Sequence, residues 1–478
     1  MTETLRRIAI DPLSRVEGHG KVTLLLDDAG HVHEARLHIV EFRGFEAFIV
    51  GRPYWEVPVI VQRLCGICPV SHNLCAAKAL DAVVGGVPPP SAVKLRRLMH
   101  AGQLLQSHAL HFFHLASPDL LFGFDSDLAR RNLMGLVETH PELAKQGVML
   151  RKFGQQVLEA VYGKRIHGTG AVPGGVNKHL SLEHRDEFSK QLPQVKQWAL
   201  GAVALAKELT ETNLVRHAGF GTVPSAMLSL VAADGSLDLY DGGLRAKDAE
   251  GRLLFDGLDA SSYRQLIQEE VRPWSYMKFP YLSALGPDAG WYKVGPLARL
   301  QVCDRLSTPL AEAARQALIA SSPRTIHAPL VFHWARMIEL LHAAEDIERL
   351  LQDDALVQGE LVSTGERQRE GIGVIEAPRG TLIHHYEVGD DDLVTRCNLI
   401  VSTTNNNQAM NEAIRSVARQ YLDGHRVTEG LLNHLEVAVR AFDPCLSCAT
   451  HAMGQMPMEV TVVDSAGAVL SRAERGAS

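Results

Sequence analysis

Two short cysteine motifs near opposite ends of the chain carry the residues best suited to chemistry. Cys65 and Cys68 form one Cys-x-x-Cys step, Cys445 and Cys448 form another, and together they account for four of the seven cysteines. Such a step lets two sulfur atoms converge on one point from a single turn. If the fold brings the two steps together, they form a cage of four thiolates, a soft donor set for a metal.

Three other interpretations compete with a shared redox-metal site: disulfides, separate redox dithiols and structural zinc. An odd and sparse count of seven cysteines in 478 residues, with no apolar signal stretch at the start, disfavours disulfides. A redox dithiol is expected in a short βαβ unit, and neither motif has one. Zinc remains open, although structural zinc sites usually take both cysteine pairs from sequence about 15 to 20 residues apart.

The composition disfavours several classes of function. A net charge of −7 and a pI near 6.3 argue against a nucleic-acid surface. No uninterrupted apolar run approaches the ~20 residues that a membrane helix needs, so we expect a soluble, cytoplasmic protein without a membrane span. The glycine-rich stretch 167–175 matches neither a dinucleotide-binding loop nor a Walker loop and is typical of a sharp turn.

The residues that flank the cysteines make the pattern much more specific. Arg63 stands two residues before the first pair and His72 four residues after it, while Asp443 precedes the second pair and His451 follows it. This combination resembles the large, catalytic subunit of nickel-iron hydrogenases. Further segments typical of that family occur in the family's order, at residues 15–19, 42–46, 172–175, 294–299 and 376–380.

The resemblance also implies a reaction. The segments 274–282 and 106–108 are most similar to the soluble NAD-reducing branch of the family. We therefore expect reversible heterolytic cleavage of dihydrogen at a nickel-iron centre, with electrons passed through partner subunits to NAD. Two alternatives remain: a regulatory hydrogen-sensing subunit, and a non-catalytic structural subunit like that of respiratory complex I. The second lacks paired cysteines, so the four present here count against it.

The four motif cysteines would be the metal ligands. The resemblance implies that Cys65 and Cys445 bind nickel terminally and that Cys68 and Cys448 bridge nickel and iron. It further implies that the Cys445 sulfur takes a proton during the reaction.

Glu17 is the expected proton relay next to that sulfur. A carboxylate suits the task if burial raises its pKa toward neutrality. Because Glu17 lies between Arg15 and His19 in the sequence, a surface salt bridge would otherwise be the simpler interpretation.

Further residues are expected around the metals by resemblance. Arg379 is catalytic in this prediction, since a fixed cation can face a metal centre without consuming protons. Thr403 would donate a hydrogen bond to a cyanide ligand on iron, and His72 would donate to a bridging sulfur. Ser107 stands where many family members have aspartate, which places that aspartate's role in doubt here. The predicted outer set is His72, Asp443, Pro378, Thr403 and Ser107.

A magnesium site is expected near the second cysteine motif. Hard oxygen ligands select this ion, and the resemblance implies Glu46, His451 and the backbone carbonyl at about Leu399. Two residues nearer the first motif are left without an assigned role. Glu56 is either a relay acid or the partner of an arginine, and Cys75 is either a buried thiol or a further local ligand.

The implied cofactors and partners follow from the same resemblance. Iron would carry carbon monoxide and cyanide, which no side chain supplies, so maturation proteins are implied. The three remaining cysteines are too scattered for a four-cysteine iron-sulfur cluster. We therefore expect iron-sulfur clusters, flavin and NAD on partners only, namely diaphorase subunits together with a hydrogenase small subunit. A C-terminal endopeptidase would remove residues 452–478, a candidate propeptide.

These residues need a scaffold that joins distant parts of the chain. Long helical patterns begin near Ser91 and recur at 181–213, 308–321 and 328–351. Strand patterns at 21–26 and 32–40 predict an N-terminal hairpin. The prediction is a predominantly helical α+β fold, with a long central helix bundle, an N-terminal antiparallel β segment within 1–50 and peripheral hairpins. We expect one catalytic body over 1–478.

Overall fold

The computed structural model describes residues 6–27, 29, 31–422, 428–450, 458–463 and 469–475. Helices form most of this part of the chain, and the strands form small sheets and hairpins. The predicted α+β class, with a predominance of helix, is therefore confirmed.

The α-helices are numbered in chain order. They are α1 (Phe45–Ile49), α2 (Val57–Ile60), α3 (Pro69–Val83), α4 (Pro90–Leu110), α5 (Ser117–Phe122), α6 (Leu133–Thr139), α7 (Pro141–Tyr162), α8 (Leu182–Arg216), α9 (Tyr263–Leu266), α10 (Gly286–Ala289), α11 (Pro296–Val302), α12 (Pro309–Ala320), α13 (Val331–Leu351), α14 (Ser402–Asn405), α15 (Asn407–Leu422) and α16 (Glu429–Ala441).

The strands are numbered in the same way. They are β1 (Arg6–Ile10), β2 (Gly20–Leu26), β3 (Val32–Ile39), β4 (Ala171–Val172), β5 (Gly175–Val176), β6 (Ala226–Val231), β7 (Gly243–Lys247), β8 (Leu253–Leu258), β9 (Ile267–Glu270), β10 (Phe279–Leu282), β11 (Tyr292–Lys293), β12 (Glu370–Ala377), β13 (Gly380–Val388), β14 (Val394–Ile400), β15 (Met458–Val463) and β16 (Val469–Arg475).

The N-terminal sheet has the order β1-β2-β3 and is antiparallel throughout. The predicted hairpin of β2 and β3 is present, and Val22 and Leu24 are buried on its inner face. Strand β1 was not predicted, because its sequence Arg-Arg-Ile-Ala-Ile has too few alternating apolar positions to signal a strand. The sheet places Glu17 in the segment that enters β2.

A helix bundle forms the core. Helix α4 packs against α7 and α13, and α13 also packs against α8. Helix α4 begins at Pro90, where a proline's fixed φ and missing N–H are tolerated, and continues into the π-helical turn His111–Ala116. Its residues are buried almost all round from Leu95 to Ala109, so it forms the centre of the bundle.

A second unit positions the remaining site residues. The antiparallel sheet β12-β13-β14 packs against α3 through β12 and β13. Helix α3 starts directly after Cys68, and the tight turn between β12 and β13 contains Pro378 and Arg379. The sheet therefore brings Arg379 towards the first cysteine motif.

The smaller hairpins lie outside these two units. Strands β7 and β8 form one of the predicted peripheral hairpins, in a four-stranded sheet of order β11-β6-β7-β8. The glycine-rich stretch is the turn between β4 and β5, as expected. Within the candidate C-terminal extension, β15 and β16 form an antiparallel hairpin. No described helix has both the length and the apolar character needed to span a membrane.

Candidate metal centre

The structure brings the two cysteine pairs together in one buried cage. The Sγ atoms of Cys65 and Cys445 lie 3.1 Å apart, those of Cys68 and Cys448 lie 3.7 Å apart, and those of Cys445 and Cys448 lie 2.9 Å apart. All four cysteines are free and buried, and their sulfur atoms lie within 4.8 Å of one another. These distances exceed a disulfide bond of about 2.05 Å. The arrangement is a four-thiol metal cage.

Helix α4 holds the first cysteine pair in place through hydrogen bonds to the turn between Cys65 and Cys68. Ile67, between the two cysteines, donates its backbone N–H to the Cys65 Sγ at 3.2 Å. The Ile67 carbonyl accepts hydrogen bonds from the side-chain amides of Gln103 and Gln106 on α4, both at 2.9 Å. Because α4 is the buried centre of the bundle, these two hydrogen bonds fix the cysteine turn to the core.

The second pair is held by the N-terminal segment. Glu17 and Cys445 form an isolated parallel β-bridge, and the Leu446 N–H donates to the Glu17 carbonyl at 2.9 Å. Gly18 makes this approach possible. Its φ is +81°, and an added Cβ would lie 2.6 Å from the Ser447 backbone nitrogen. Only glycine fits this contact. The two segments therefore pack backbone against backbone at Gly18 and Ser447.

Burial and the hydrogen bonds among the four thiols shift the pKa values of the two cysteine pairs in opposite directions. Hydrogen bonds with Cys445 and the neighbouring thiols lower the pKa of Cys65 and bring that of Cys68 to about 6. Burial raises the pKa of Cys445 and Cys448 well above the usual value of a thiol. Four thiolates at this site therefore require a bound cation, because unpaired buried charge is costly.

Glu17 contacts the cage through its carboxylate. Its Oε2 lies 2.9 Å from the Cys445 Sγ and accepts the Ser447 N–H at 3.2 Å. The surface salt bridge that was the alternative does not form. Arg15 pairs with Asp119, and His19 pairs with Glu41 on the surface. The half-buried Glu17 carboxylate is thus left to face the sulfur.

Arg379 covers another side of the cage. Its Nε donates to the Asp443 carbonyl at 2.7 Å and its Nη2 to the Asp443 carboxylate at 3.1 Å. Nη1 donates to the Ser107 hydroxyl at 3.4 Å. Burial opposes the charge of Arg379, but Asp443 and the cysteines raise its pKa well above the usual value. Asp443 adopts a left-handed φ of 54°, a conformation that these two hydrogen bonds support.

A small cavity of about 10 Å³ lies beside three of the sulfur atoms. This is room for about one water-sized molecule. The Thr403 hydroxyl accepts the Cys445 N–H at 2.9 Å, at the start of the short helix α14. The cavity is lined by Cys68, Cys445 and Cys448, by Arg379, and by Ser71, His72, Ala377, Pro378, Leu382, Val401, Ser402 and Thr403.

Glu46 and Leu399, two of the residues expected to hold magnesium, contact each other. The Glu46 carboxylate accepts the Leu399 N–H at 2.8 Å and contacts the Lys278 ammonium at 3.1 and 3.2 Å. In a strand, the N–H and C=O of one residue point to the same edge, so the Leu399 carbonyl faces the same side as Glu46. His451 lies outside the described residues. Its neighbour Thr450 accepts the Gly44 N–H at 3.3 Å, beside α1.

Oxygen atoms near Glu46 fit a hard cation. The Lys278 ammonium also contacts Glu269 Oε2 at 3.5 Å and Asn398 Oδ1 at 3.3 Å. Glu269 Oε1 is buried and has no hydrogen-bond partner in the described part of the chain. These neighbours of Glu46 were not predicted, although Lys278 lies in a segment that the resemblance had singled out. A side-chain cluster assembled from helix α1, strands β9 and β14 and the loop before β10 leaves no local spacing to detect.

Two residues without an assigned role stand away from the cage. Glu56 is solvent-exposed. Cys75 is buried in α3, where its thiol donates to the carbonyls of Gly373 and Leu382, at 3.2 and 3.4 Å. Burial raises its pKa above the usual range of a thiol. Cys75 therefore joins α3 to the sheet and is not part of the described four-cysteine group.

A larger cavity, of about 730 Å³, shares no lining residue with the small one. It opens between α4, α13 and the loop at 236–240. Its cations Lys94 and Arg97 are already paired with Asp353 and Asp238. The small cavity, which three of the cage cysteines line, is therefore the candidate reaction site.

Comparison with known proteins gives consistent matches over the chain. The "Nickel-dependent hydrogenase" family model matches residues 43–122 and 239–451, and a "HoxL-like" model matches residues 7–42. The NAD-reducing hydrogenase HoxS subunit beta of Cupriavidus necator is 47% identical, over 98% of this chain and 100% of the relative. The F420-non-reducing hydrogenase of Methanothermobacter thermautotrophicus contains a chain that is 40% identical, over 98% and 99% respectively.

Two solved structures show the same fold. The crystal structure of an NAD⁺-reducing [NiFe]-hydrogenase in the H2-reduced state has a TM-score of 0.92 and 63% identity, over 94% of this chain and 100% of that one. The Ni-Fe-Se hydrogenase of D. vulgaris Hildenborough has a TM-score of 0.74 and 25% identity, over the same shares. The fold is retained at much lower sequence similarity.

Proposed function

Because the chain belongs to the nickel-dependent hydrogenase family, we propose that it is the catalytic subunit of an NAD-reducing hydrogenase. It cleaves dihydrogen reversibly and heterolytically at a nickel-iron centre, and partner subunits carry the electrons to NAD. Similarity to the NAD-reducing relative over 98% of this chain supports the choice of electron acceptor. We further propose one catalytic body over residues 1–478 and a cytoplasmic location.

The single observation that carries this function is the buried cage of four sulfur atoms, supplied in pairs from both ends of the chain. A soft thiolate set of this kind fits nickel and iron and tolerates changes of oxidation state. Cys65, Cys68, Cys445 and Cys448 would together hold the nickel-iron centre.

The protein groups around the cage are suited to moving a proton. The bound metal pair supplies the redox chemistry that dihydrogen cleavage requires. The Cys445 sulfur holds the released proton, and Glu17, 2.9 Å away, accepts it and passes it outward. Arg379 stays charged throughout, because its guanidinium has no usable pKa. It maintains a positive potential without competing for the proton.

Carbon monoxide and cyanide are proposed as the additional ligands of iron, on the side of the cage where the small cavity lies. Leu382 and Val401 give it apolar walls that suit small diatomic groups, with Pro378 completing one side. The Thr403 oxygen accepts the Cys445 N–H, so its own O–H proton remains available to donate to cyanide. Residues His72, Asp443 and Ser107 complete the surroundings.

Electrons leave through other subunits in this proposal. Cys75, Cys303 and Cys397, which remain once the cage is assigned, occupy separate places in the fold and form no metal-ligating group in the described residues. A hydrogenase small subunit would therefore hold the first iron-sulfur cluster, and diaphorase subunits would hold flavin and bind NAD.

Magnesium is proposed at Glu46. The Glu46 carboxylate, the Leu399 carbonyl and His451 form the ligand set, with water completing it. Lys278 pairs with one oxygen of the buried Glu269 carboxylate. The other oxygen has no hydrogen-bond partner among the described residues, so it can accept a hydrogen bond from a water that the ion holds.

The C-terminal segment and the diatomic ligands imply processing by other proteins. We propose that maturation proteins insert the metals and that an endopeptidase then removes residues 452–478, which include the β15–β16 hairpin. Removal would leave His451 as the last residue, next to the magnesium site.

The test uses the chain purified with its partner subunits. We expect nickel and iron in the chain, infrared bands of metal-bound carbon monoxide and cyanide, and hydrogen-dependent reduction of NAD. Cys448→Ser should lose both metals, whereas Cys303→Ser, a matched change of a buried cysteine elsewhere, should retain them. Zinc alone in matured protein, without such bands, contradicts the proposal. Bands without NAD reduction would instead indicate a hydrogen sensor.

A further inference from the structure

A buried chain of three side chains extends away from the metal cage. His72 Nδ1 lies 3.1 Å from His384 Nε2, and His384 Nδ1 lies 2.6 Å from the Tyr386 hydroxyl. His72 lines the small cavity beside the sulfurs. The three residues are at most 1% exposed. Neither His384 nor Tyr386 lines that cavity, so their connection to the site passes through His72.

Local structure explains why these residues meet. His72 lies on the first turn of α3, four residues after Cys68. His384 and Tyr386 are two residues apart on β13, so both face α3. The intervening His385 faces the other way and hydrogen-bonds Tyr263. The hydrogen bonds from Cys75 to Gly373 and Leu382 hold α3 against the same sheet.

The phenol sets the direction of the hydrogen bonds. Within the described part of the chain, the Tyr386 hydroxyl has one hydrogen-bond partner, His384 Nδ1. Burial raises the pKa of Tyr386 well above its usual value, so the phenol keeps its proton. A buried O–H needs an acceptor, and Tyr386 therefore donates to His384 Nδ1.

The tautomers of both histidines follow. A neutral imidazole has one donor and one acceptor nitrogen. With Nδ1 as acceptor, His384 carries its proton on Nε2 and donates it to His72 Nδ1. His72 must then carry its own proton on Nε2, the ring nitrogen that His384 does not engage.

We propose that Tyr386 and His384 are positioning residues that fix the tautomer and ring orientation of His72, so that His72 presents an N–H donor to the sulfur cage. The inference rests on the proposed function, since it concerns thiolates that bind the metals. An N–H donor withdraws electron density from a thiolate, whereas the opposite tautomer would present a lone pair and repel it. Outer partners of metal ligands act in this way at other sites.

The test is Tyr386→Phe in the assembled, matured complex. The substitution keeps the ring and removes only the hydroxyl. We expect nickel and iron contents to stay close to those of the wild type, the carbon monoxide and cyanide bands to shift, and hydrogen-dependent NAD reduction to fall about 10-fold, at the lower end of outer-partner effects. The band shift is the decisive readout, because a purely structural role would not change it.

Tyr263→Phe is the matched control. It also removes a buried phenol bonded to a histidine of β13, at 2.9 Å, but on the opposite face of the sheet. Its bands should match those of the wild type. Identical bands in Tyr386→Phe and Tyr263→Phe overturn the inference and leave the proposed function intact. Absence of bands in the wild type overturns the proposed function, and this inference with it.

A second pair of variants guards against loss of metal in Tyr386→Phe. In His384→Gln the side-chain amide can still donate to His72 Nδ1, whereas in His384→Leu it cannot. We expect bands nearer to the wild type in His384→Gln than in His384→Leu. Equal spectra in the two variants contradict the proposal.

Discussion

Glu17 Oε2 lies 2.9 Å from the Cys445 Sγ, although 428 positions separate the two residues in the chain. The β-bridge between the same two residues holds their backbones together as well. Because the backbone bridge holds the two residues in place, a change to the Glu17 side chain can test the contact without moving the backbone.

Glu17→Gln should remove the proton acceptor and keep the shape of the site. Loss of a positioned acid-base group typically costs about 10²- to 10⁴-fold in rate, so we expect at least about a 100-fold lower rate of hydrogen oxidation with normal nickel content. Steady-state NAD reduction and metal analysis measure the two quantities. The exposed Glu56→Gln is the control and should be active. A Glu17→Gln enzyme with wild-type activity would exclude the relay.

Gly18→Ala should prevent the close approach between the segment that carries Glu17 and the segment that carries Cys445 and Cys448. The added Cβ would lie 2.6 Å from the Ser447 nitrogen, so the segment that carries Cys445 must shift. We expect loss of nickel and iron, measured per chain. Gly51 is a matched control, with the same φ of +81° and no atom within 4 Å of an added Cβ. Full metal content in Gly18→Ala would show that the close approach is dispensable.

Arg379→Lys should impair the reaction despite conserving the charge. A lysine cannot donate to both the Asp443 carbonyl and its carboxylate as the guanidinium does. We expect about a 10- to 100-fold lower kcat with intact metals, consistent with the effect of outer partners. Arg185→Lys, at a surface pair with Asp354, serves as the control. Equal kcat values in the two variants would argue against a role for the two hydrogen bonds that the Arg379 guanidinium donates to Asp443.

Glu46→Gln should lower the magnesium content. It weakens a proposed carboxylate ligand, and magnesium prefers charged oxygen donors. Elemental analysis of extensively dialysed enzyme gives the magnesium per chain. Glu270 is the sequence neighbour of Glu269 and pairs with Arg272. Glu270→Gln is the control and should leave the magnesium content unchanged. Unchanged magnesium in Glu46→Gln would place the ion elsewhere.

The buried carboxylate of Glu339 should make the free energy of unfolding depend on pH in the acidic range. Its carboxylate is bound by Arg299 at 2.6 Å and by His108 at 3.1 Å. Although burial opposes the charge, Arg299 and His108 lower its pKa from 4.5 to about 2. A depressed carboxylate pKa stabilises the fold above the unfolded-state value, and this contribution disappears as pH falls from about 4.5 towards 2.

Glu339→Gln removes one of the two carboxylates that pair with the buried Arg299, and Glu376 is the one that remains. Because breaking a buried pair costs about 3–5 kcal/mol, we expect a loss of up to that size. Denaturant unfolding at several pH values measures both effects, and the variant should lose part of the acid dependence between about pH 4.5 and 2. The exposed Glu159→Gln should change the free energy of unfolding much less. Equal stabilities of the two variants would contradict the prediction.

His108, His111 and His114 show how far a regular spacing can be interpreted. Their three-residue repeat suggests a metal row, yet His108 binds Glu339 and His111 donates to the Arg440 carbonyl at 2.8 Å. They do not form a metal-ligating group in the described residues. Spacing along a helix specifies which side chains share a face, but the packing partners decide what that face does.

The sequence by itself determined the chemical type of the site. Two cysteine pairs with their flanking residues specified a soft donor set, the hydrogenase family and the residues to examine, because ligand type and motif order are properties of the chain. The N-terminal hairpin and the long buried helices were also readable, since apolar periodicity is local.

Only the tertiary structure decided which distant groups touch. The contact of Glu17 with Cys445, the Lys278 and Glu269 neighbours of Glu46, and the chain from Tyr386 to His72 each join segments that are far apart in sequence. Such contacts depend on how α3, α4 and the small sheets pack. Packing is a collective result of many weak interactions, and no local pattern of residue types encodes it.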